Sequence, residues 1–221
     1  VLIADDHNLV RQGLKRILLE SGGIGPVEEA RDGKEVISKV SQRNYDVILL
    51  DISFPGRSGI DTLKQLKILK PKLPVHILSM HPEEQYAVRS IRAGASGYLT
   101  KESAPEELVE AIRKVSAGKK YITSSLAERL ADRIDEKAEE PLHKSLSDRE
   151  YQVMCMIAAG KTVSEIAAEL SLSVKTISTH RVRILQKMGM KNNAQLTHYA
   201  IKHPLIRERA FSPRQLWLRR P

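Results

Sequence analysis

Short apolar runs alternate with amphipathic stretches along the first 120 residues. Five of the runs predict strands: "VLIA" (1–4), "VEEA" (27–30), "DVILLD" (46–51), "VHILSM" (75–80) and "GYLT" (97–100). Apolar residues at helical spacing follow each run and predict helices over residues 8–20, 34–42, 58–69, 83–93 and 105–117. Repeated strand–helix units are typical of a parallel sheet with helices on both faces. We therefore expect a doubly wound, five-stranded α/β domain over residues 1–120.

The pattern changes after this domain. Residues 121–145 begin as a helix and then become a charged run broken by Pro141, which is typical of a linker. Residues 146–205 carry helical patterns only, and the short "LSLS" separates two of the predicted helices. The second of these helices, over residues 174–188, is basic, so a small all-α helix-turn-helix domain is predicted. Residues 206–221 form a basic tail with no assignment.

Charge is distributed unevenly along the chain, whose net charge is +9. Residues 1–144 contain 23 Lys and Arg against 22 Asp and Glu, whereas residues 145–221 contain 13 against 5. This asymmetry indicates that the second part meets a polyanion. The apolar runs are too short to span a membrane, the start resembles no export signal, and the single cysteine excludes an internal disulfide. We therefore expect a cytoplasmic protein with no membrane partner.

Polar side chains stand at the carboxyl ends of four predicted strands. Asp5 and Asp6 follow the first strand, and Asp51 ends the third. Ser79 lies at the end of the fourth strand, and Lys101 follows the fifth. Because doubly wound sheets bind ligands at the carboxyl ends of their strands, we expect these five residues to share one crevice.

The chemistry of such a crevice follows from its charges. Three carboxylates held together repel one another and raise their own pKa values. Mg²⁺ relieves this repulsion, since it binds a few carboxylates together with water and phosphate oxygens. Asp51 can then attack phosphorus as a carboxylate nucleophile, and Lys101 and the Ser79 hydroxyl can hold the phosphoryl oxygens. The sequence thus predicts Mg²⁺-dependent phosphorylation of Asp51.

These motifs resemble, in the same order, the receiver domain of bacterial two-component response regulators. The resemblance rests on the acidic pair Asp5-Asp6, on "LLDISFPGRSG" around Asp51, on "LSM" with Ser79 and on "GYLTK" with Lys101. It covers residues 1–120 and implies a flavodoxin-like fold. It also implies a sensor histidine kinase as the partner that supplies the phosphate.

The resemblance further implies individual roles. Asp6 and Asp51 would bind Mg²⁺ directly, together with the backbone carbonyl of Ser53, while Asp5 would act through water. Tyr98 matches an aromatic switch position that moves with the hydroxyl at the end of the fourth strand. We carry these roles forward as expectations.

The predicted helix within "SVKTISTHRVRILQKMGMK" (173–191) contains no acidic residue. Its basic residues are Lys175, Arg181, Arg183, Lys187 and Lys191. An α-helix fits the major groove of DNA, where small polar and apolar side chains meet base edges and Arg and Lys contact phosphates. A solvated basic face is the commonest meaning of such a charge run, and the tight turn before the helix favours DNA binding instead.

Residues 146–203 resemble the LuxR-type helix-turn-helix, and its combination with a receiver domain defines the NarL/FixJ class. In that class Ser178, Thr179 and Val182 occupy base-facing positions. The basic residues assigned to DNA are Lys175, Arg181, Arg183 and Lys187. The implied partners are double-stranded DNA, a second copy of the phosphorylated chain that pairs through the helix over residues 193–203, and RNA polymerase as a further candidate.

Two other functions remain open from the residues alone. A phosphatase of the dehalogenase type also uses a strand-end Asp with Mg²⁺, but it needs a second acid two positions later, where Ser53 stands. Alternatively, the first domain could be a constitutive dimerisation module of a DNA-binding protein. We expect a transcription regulator switched by phosphorylation, and not an enzyme.

Overall fold

The computed structural model describes residues 1–54, 58–81, 83–128 and 141–206, without the side chains of residues 84 and 85. Residues 129–140 of the predicted linker and residues 207–221 of the predicted tail lie outside these ranges. The chain divides into an N-terminal unit of residues 1–139 and a C-terminal unit of residues 140–221. No helix in the described ranges is both long enough and apolar enough to cross a membrane.

The N-terminal unit contains a five-stranded parallel sheet. Its strands are β1 (Leu2–Ala4), β2 (Glu28–Ala30), β3 (Ile48–Asp51), β4 (Val75–Ser79) and β5 (Gly97–Thr100). Their order in the sheet is β2-β1-β3-β4-β5. The intervening helices are α1 (Asn8–Glu20), α2 (Gly33–Gln42), α3 (Gly59–Leu69), α4 (Glu83–Arg92) and α5 (Pro105–Ser116). The predicted doubly wound, flavodoxin-like fold is confirmed.

Helices cover both faces of this sheet, and so its central strands are buried throughout. Every residue of β3 and β4 is buried, as their nearly continuous apolar sequences predict. The register places Asp51 beside Leu78 and Ser79 beside Thr100. The carboxyl ends of β3, β4 and β5 therefore lie side by side.

Gly59, the first residue of α3, lies directly against the end of β3. Its N–H donates to the carbonyl of Ile52 at 2.8 Å. A Cβ atom at this position would clash with the carbonyl oxygen of Asp51 and lie 2.7 Å from the Cα of Ile52. Glycine is therefore required here for close packing, and the close approach fixes the backbone that carries Asp51.

The C-terminal unit is helical in its described part. A 3₁₀ turn (Leu142–Ser145) precedes α6 (Asp148–Ala158), α7 (Val163–Glu169), α8 (Val174–Lys187) and α9 (Asn193–Lys202). Two of these helices begin with a capping box, Ser147 with Glu150 at α6 and Thr162 with Glu165 at α7. Helices α7 and α8 flank a tight turn, so the predicted helix-turn-helix is confirmed.

Candidate functional site

The carboxylate of Asp51 lies at the end of β3 with only 1% of the residue exposed. Lys101 Nζ donates to Asp51 Oδ2 at 2.9 Å, and the Ser53 N–H donates to Oδ1 at 3.2 Å. Lys101 also forms an ion pair with Asp5 Oδ2. The structure thus brings together Asp51, Asp5 and Lys101, which are separated by up to about a hundred positions in the sequence.

The loop after β1 adds Asp6 and His7 to this group. Asp5 Oδ1 accepts a hydrogen bond from the His7 N–H at 2.9 Å, and Arg11 Nη1 holds the Asp5 carbonyl at 2.8 Å. Ligand atoms of Asp5, Asp6, His7 and Asp51 all lie within 4.8 Å of one another. His7 was not among the predicted site residues. Its place directly after the acidic pair was the available signal.

Asp6 provides a test of whether this group fits a hard cation. Its Oδ1 atom is buried without a hydrogen-bond partner, although His7 Nδ1 lies 3.0 Å away and pairs with it when the imidazole is protonated. A buried, unbonded carboxylate oxygen is costly unless a cation compensates it. Clustered carboxylate oxygens are also the donors that Mg²⁺ prefers. The residues therefore fit Mg²⁺.

The electrostatics of the site follow from burial. Burial raises the pKa of Asp51; the Lys101 ammonium opposes this rise and the Asp5 carboxylate adds to it. Burial alone would lower the pKa of Lys101, but Asp51 and Asp5 together raise it above its ordinary value. Lys101 therefore stays charged between two carboxylates, and a single ammonium leaves the acidic group with an excess of negative charge.

Ser79 and Tyr98 meet at His81, a residue that the sequence did not single out as a contact. The fully buried Ser79 hydroxyl accepts a hydrogen bond from the His81 N–H at 3.0 Å. Tyr98 is also buried, and its hydroxyl donates to the His81 carbonyl at 2.7 Å. The His81 ring stacks on Tyr86 with centroids 4.8 Å apart, and its Nε2 lies 3.4 Å from Ser53 Oγ. His81 therefore links the predicted switch residues to the loop that follows Asp51.

The roles predicted for the Ser53 carbonyl and for Tyr98 movement stay predictions. The Ser53 contact with Asp51 uses the backbone N–H. His81 stands two residues after Ser79, just beyond the end of β4, and this position was the signal that could have identified it.

Helix α8 presents one polar face to solvent. Its exposed residues include five of the predicted DNA contacts, Lys175, Ser178, Thr179, Val182 and Arg183. On its opposite face Ile177 and Ile184 are buried. Val182 is 49% exposed, so this solvent-facing surface includes an apolar side chain beside its polar ones.

The other two predicted contacts have partners within the C-terminal unit. Arg181 Nε donates to Asn193 Oδ1 at 2.7 Å, which ties α8 to the start of α9. Lys187 Nζ donates to Glu150 Oε2 at 2.6 Å, which ties α8 to α6. Both side chains therefore help to position the helix, and contact with DNA stays a prediction for them. Half-buried His180 lies on the packed side, and burial lowers its pKa.

Comparison with known proteins identifies both units. Residues 1–113 match the response regulator receiver domain, and residues 144–200 match the LuxR family of bacterial regulatory proteins. The chain is a response regulator of the NarL/FixJ class. This response regulator carries a LuxR-type DNA-binding domain after its receiver domain, and so it belongs to a family of transcription regulators.

Relatives and solved structures agree with this assignment. The response regulator UvrY of Escherichia coli is 39% identical over 96% of this chain and 98% of its own length. The response regulator GacA of Pseudomonas aeruginosa is 35% identical over 93% of this chain and 97% of its own. RcsB of Salmonella enterica serovar Typhimurium, bound to promoter rprA in the presence of phosphomimetic BeF3−, is 28% identical with a TM-score of 0.59. That similarity covers 90% of this chain and 96% of the RcsB chain.

Proposed function

We propose that this response regulator is switched by phosphorylation of Asp51 and then binds double-stranded DNA as a dimer through α8. One observation carries the first half of the proposal. The buried Asp51 carboxylate accepts from Lys101 Nζ at 2.9 Å, and one of its oxygens lies within 4.8 Å of carboxylate oxygens of Asp5 and Asp6. Structural carboxylates are seldom gathered in this way at the carboxyl ends of parallel strands, where ligands bind.

The metal in this proposal is Mg²⁺, held by the carboxylates of Asp6 and Asp51 and the carbonyl of Ser53, with Asp5 acting through water. When bound, Mg²⁺ supplies positive charge to the oxygens of the transferred phosphoryl group. The buried, unbonded oxygen of Asp6 supports its role as a ligand.

The reaction itself uses the side chains of the chain. An oxygen of Asp51 forms a bond to phosphorus while the phosphorus–nitrogen bond of a phosphohistidine on the sensor kinase breaks, and the histidine leaves. Lys101 and the Ser79 hydroxyl then hold the phosphoryl oxygens. The Ser79 oxygen already accepts from the His81 N–H, so the hydrogen of the hydroxyl is the group that donates to a phosphoryl oxygen, and one hydroxyl links the two partners.

We propose residues 1–120 as the receiver domain, residues 121–145 as the connecting segment and residues 146–205 as the DNA-binding domain. The division into units of residues 1–139 and 140–221 supports a boundary within the connecting segment. The separate family matches over residues 1–113 and 144–200 support it as well.

Binding to DNA as a dimer is supported by the exposed face of α8 and by the solved neighbours. An RcsB–DNA complex, with a TM-score of 0.55 and 30% identity, is among them. So is a structure of two RcsB dimers bound to two parallel DNAs, with a TM-score of 0.55 and 29% identity. For this chain we propose that Ser178, Thr179 and Val182 face the bases and that Lys175 and Arg183 contact phosphates.

Incubation with acetyl phosphate and Mg²⁺, followed by DNA binding, tests the proposal. We expect a hydroxylamine-labile phosphoryl adduct on the wild-type chain and tighter DNA binding after labelling. Asp51→Asn should abolish both effects. Asp46→Asn, which changes an exposed acid at the other end of the same strand region, should label normally.

Two results would contradict the proposed phosphorylation switch. Persistent labelling of Asp51→Asn would remove Asp51 as the phosphoacceptor. Normal labelling with unchanged DNA affinity would leave the receiver as a constitutive dimerisation module, the alternative that the sequence left open.

A further inference from the structure

The chain that follows α5 returns to the sheet instead of leaving it. We call residues 119–126 the strap. The Tyr121 N–H donates to the carbonyl of Ser96 at 2.9 Å, and Tyr121 forms a parallel bridge with Gly97 at the edge strand β5. A Cβ atom at Gly97 would lie 2.6 Å from the Tyr121 carbonyl oxygen and 2.5 Å from His76 Nδ1. The lack of a side chain at Gly97 therefore admits both the strap and the buried His76 ring.

The Tyr121 side chain holds the first part of the strap to α5. Its hydroxyl donates to Glu107 Oε1 at 3.3 Å, and Lys114 Nζ lies 5.4 Å from its ring centroid. Burial, together with the carboxylates of Glu107 and Glu110, raises the pKa of Tyr121 to about 12. The hydroxyl is therefore protonated at neutral pH and remains a donor.

The second part of the strap is held by one carboxylate on α4. Glu83, the first residue of that helix, accepts from Thr123 Oγ1 at 3.0 and 2.8 Å and from Ser125 Oγ at 2.9 Å. Hydrogen bonds to an ionised acceptor are stronger than neutral ones. Glu83 thus fastens the segment that leads to the C-terminal unit onto the N-terminal end of α4.

The same end of α4 connects to Asp51 through a short series of contacts. Glu83 stands two residues after His81, whose N–H holds the Ser79 hydroxyl and whose ring approaches Ser53 Oγ. Ser53 in turn donates its N–H to Asp51. The steps from Asp51 to His81 are hydrogen bonds, and Glu83 follows His81 two positions later in the chain, so a change at Asp51 has a physical route to Glu83.

We propose that Glu83 is a latch that holds the strap while Asp51 is unmodified and releases it when Asp51 is phosphorylated. This inference rests on the proposed phosphorylation of Asp51. When the Ser79 hydroxyl turns to donate its hydrogen to a phosphoryl oxygen, the His81 N–H that it accepts from moves with it, and the movement of His81 displaces the start of α4. Glu83 then loses Thr123 and Ser125, and the chain leading to the DNA-binding domain is freed. The modification acts only through contacts that differ between the two states.

Hydrogen exchange of the full chain, with and without beryllofluoride, measures the latch directly. In the wild-type chain we expect the amides of residues 121–128 to exchange about tenfold faster when beryllofluoride is bound, since two charge-assisted hydrogen bonds are lost. Glu83→Ala should exchange rapidly in both states. Glu83→Gln keeps an acceptor oxygen and should retain part of the difference.

Controls separate the latch from general loosening. Glu106→Ala removes an exposed acid from the first turn of the neighbouring helix α5 and should behave as wild type. Ser125→Ala removes one donor from the strap side and should give a smaller release than Glu83→Ala. Glu83→Ala and Ser125→Ala remove the same contact from its two sides, so the test stands if one of these two variants folds poorly.

DNA binding gives the second readout, as the ratio of affinities with and without beryllofluoride. We expect Glu83→Ala to lower this ratio by raising the affinity of the unmodified chain. Two outcomes would contradict the latch. One is that Glu83→Ala has the same ratio of DNA affinities, with and without beryllofluoride, as the wild-type chain. The other is that the hydrogen-exchange rates of the strap do not change when beryllofluoride binds. If the wild-type chain is not labelled at Asp51 by acetyl phosphate, the proposed function fails as well as the latch. If labelling and the DNA-binding response of the wild-type chain are normal, those two outcomes contradict the latch alone.

Discussion

The two functional regions of this response regulator are built in opposite ways. The acidic site gathers side chains from several loops at strand ends. Asp5 and Asp51 are buried there and the Lys101 side chain is 7% exposed, and all three have intramolecular partners. The surface proposed to face DNA comes from one helix, and the side chains proposed to read bases are exposed. A substitution at the first site therefore perturbs the fold as well as the chemistry. A substitution at the second should change binding and leave stability nearly intact.

The largest difference in the free energy of unfolding should appear between substitutions of two lysines that each neutralise an acid. Lys101→Met leaves the buried Asp51 and Asp5 uncompensated, which costs about 3–5 kcal/mol. Lys187→Met removes a half-exposed partner of Glu150, and exposed pairs contribute about 0–1 kcal/mol. Urea unfolding, followed separately for each unit by hydrogen exchange, measures both.

The pH dependence sharpens this test. Without Lys101, the pKa of Asp51 rises further above its ordinary value of 3.8, so the folded state binds a proton more readily than the unfolded state. The stability lost in Lys101→Met should therefore be partly regained as the pH falls. If Lys101→Met and Lys187→Met lowered the free energy of unfolding equally at neutral pH, the proposed difference between the buried and the exposed lysine would be refuted.

A second contrast uses two glycines of the N-terminal unit. Gly59→Ala places a methyl group against the backbone at Asp51 and should destabilise the unit by about 1–3 kcal/mol. Gly13→Ala lies in α1 with no atom within 4 Å of the added Cβ, and should stabilise it by about 0.5–1 kcal/mol. Thermal unfolding checks both signs, and a neutral Gly59→Ala would show that α3 can move away from β3.

A third test concerns the C-terminal unit. Burial alone would raise the pKa of Glu150, but hydrogen bonds from Lys187 and Ser147 lower it below the ordinary 4.5. Its contribution to stability is therefore present above pH 4.5 and is lost as the pH falls through the lower, folded-state value. Glu150→Gln should remove this dependence and cost about 1 kcal/mol or less at neutral pH, because the amide keeps the capping box but loses the ion pair with Lys187.

The matched variant is Glu165→Gln in the second capping box, where the lysine that acts on the carboxylate is Lys161, directly before the N-cap. Acid unfolding of the C-terminal unit should shift less for Glu165→Gln than for Glu150→Gln. The reverse order would show that Lys187 adds nothing to the α6–α8 contact.

The smallest effect should be on the salt dependence of DNA binding. Arg183→Ala should reduce the slope of log affinity against log salt concentration by about 1, because one phosphate contact is lost. Lys187→Ala should reduce it less, since Lys187 is engaged with Glu150. Titrations at several salt concentrations measure both slopes, and an unchanged slope for Arg183→Ala would exclude it as a phosphate contact.

The sequence predicted the sheet and the convergence at its edge for a simple reason. Buried parallel strands are continuous apolar runs, and their carboxyl ends must meet once the sheet is doubly wound. Asp51 and Lys101 could be paired on that basis alone. The exposed face of α8 was predictable in the same way, because helical periodicity separates Ile177 and Ile184 from Ser178 and Val182.

What the sequence did not reveal depends on side chains that meet across loops and helices. His7 and His81 lie beside predicted residues, but a loop has no periodicity that indicates where a ring points. Lys187 lies on a basic helix, and its pairing with Glu150 follows only from how α6 packs on α8. The bridge from Tyr121 to Gly97 involves a single residue, which is too short to produce a strand pattern.

The strand order has a consequence for how the chain reaches its native state. Leu2 pairs with both Glu28 and Ile48, and Ile48 pairs with Val75, so distant segments must come together before the sheet gains stability. Such non-local pairing slows folding relative to helical bundles, whose contacts are more local. The N-terminal unit is made first but should mature last. Until it does, the apolar β3 and β4 segments are open to aggregation, and poor expression of variants should trace to this half.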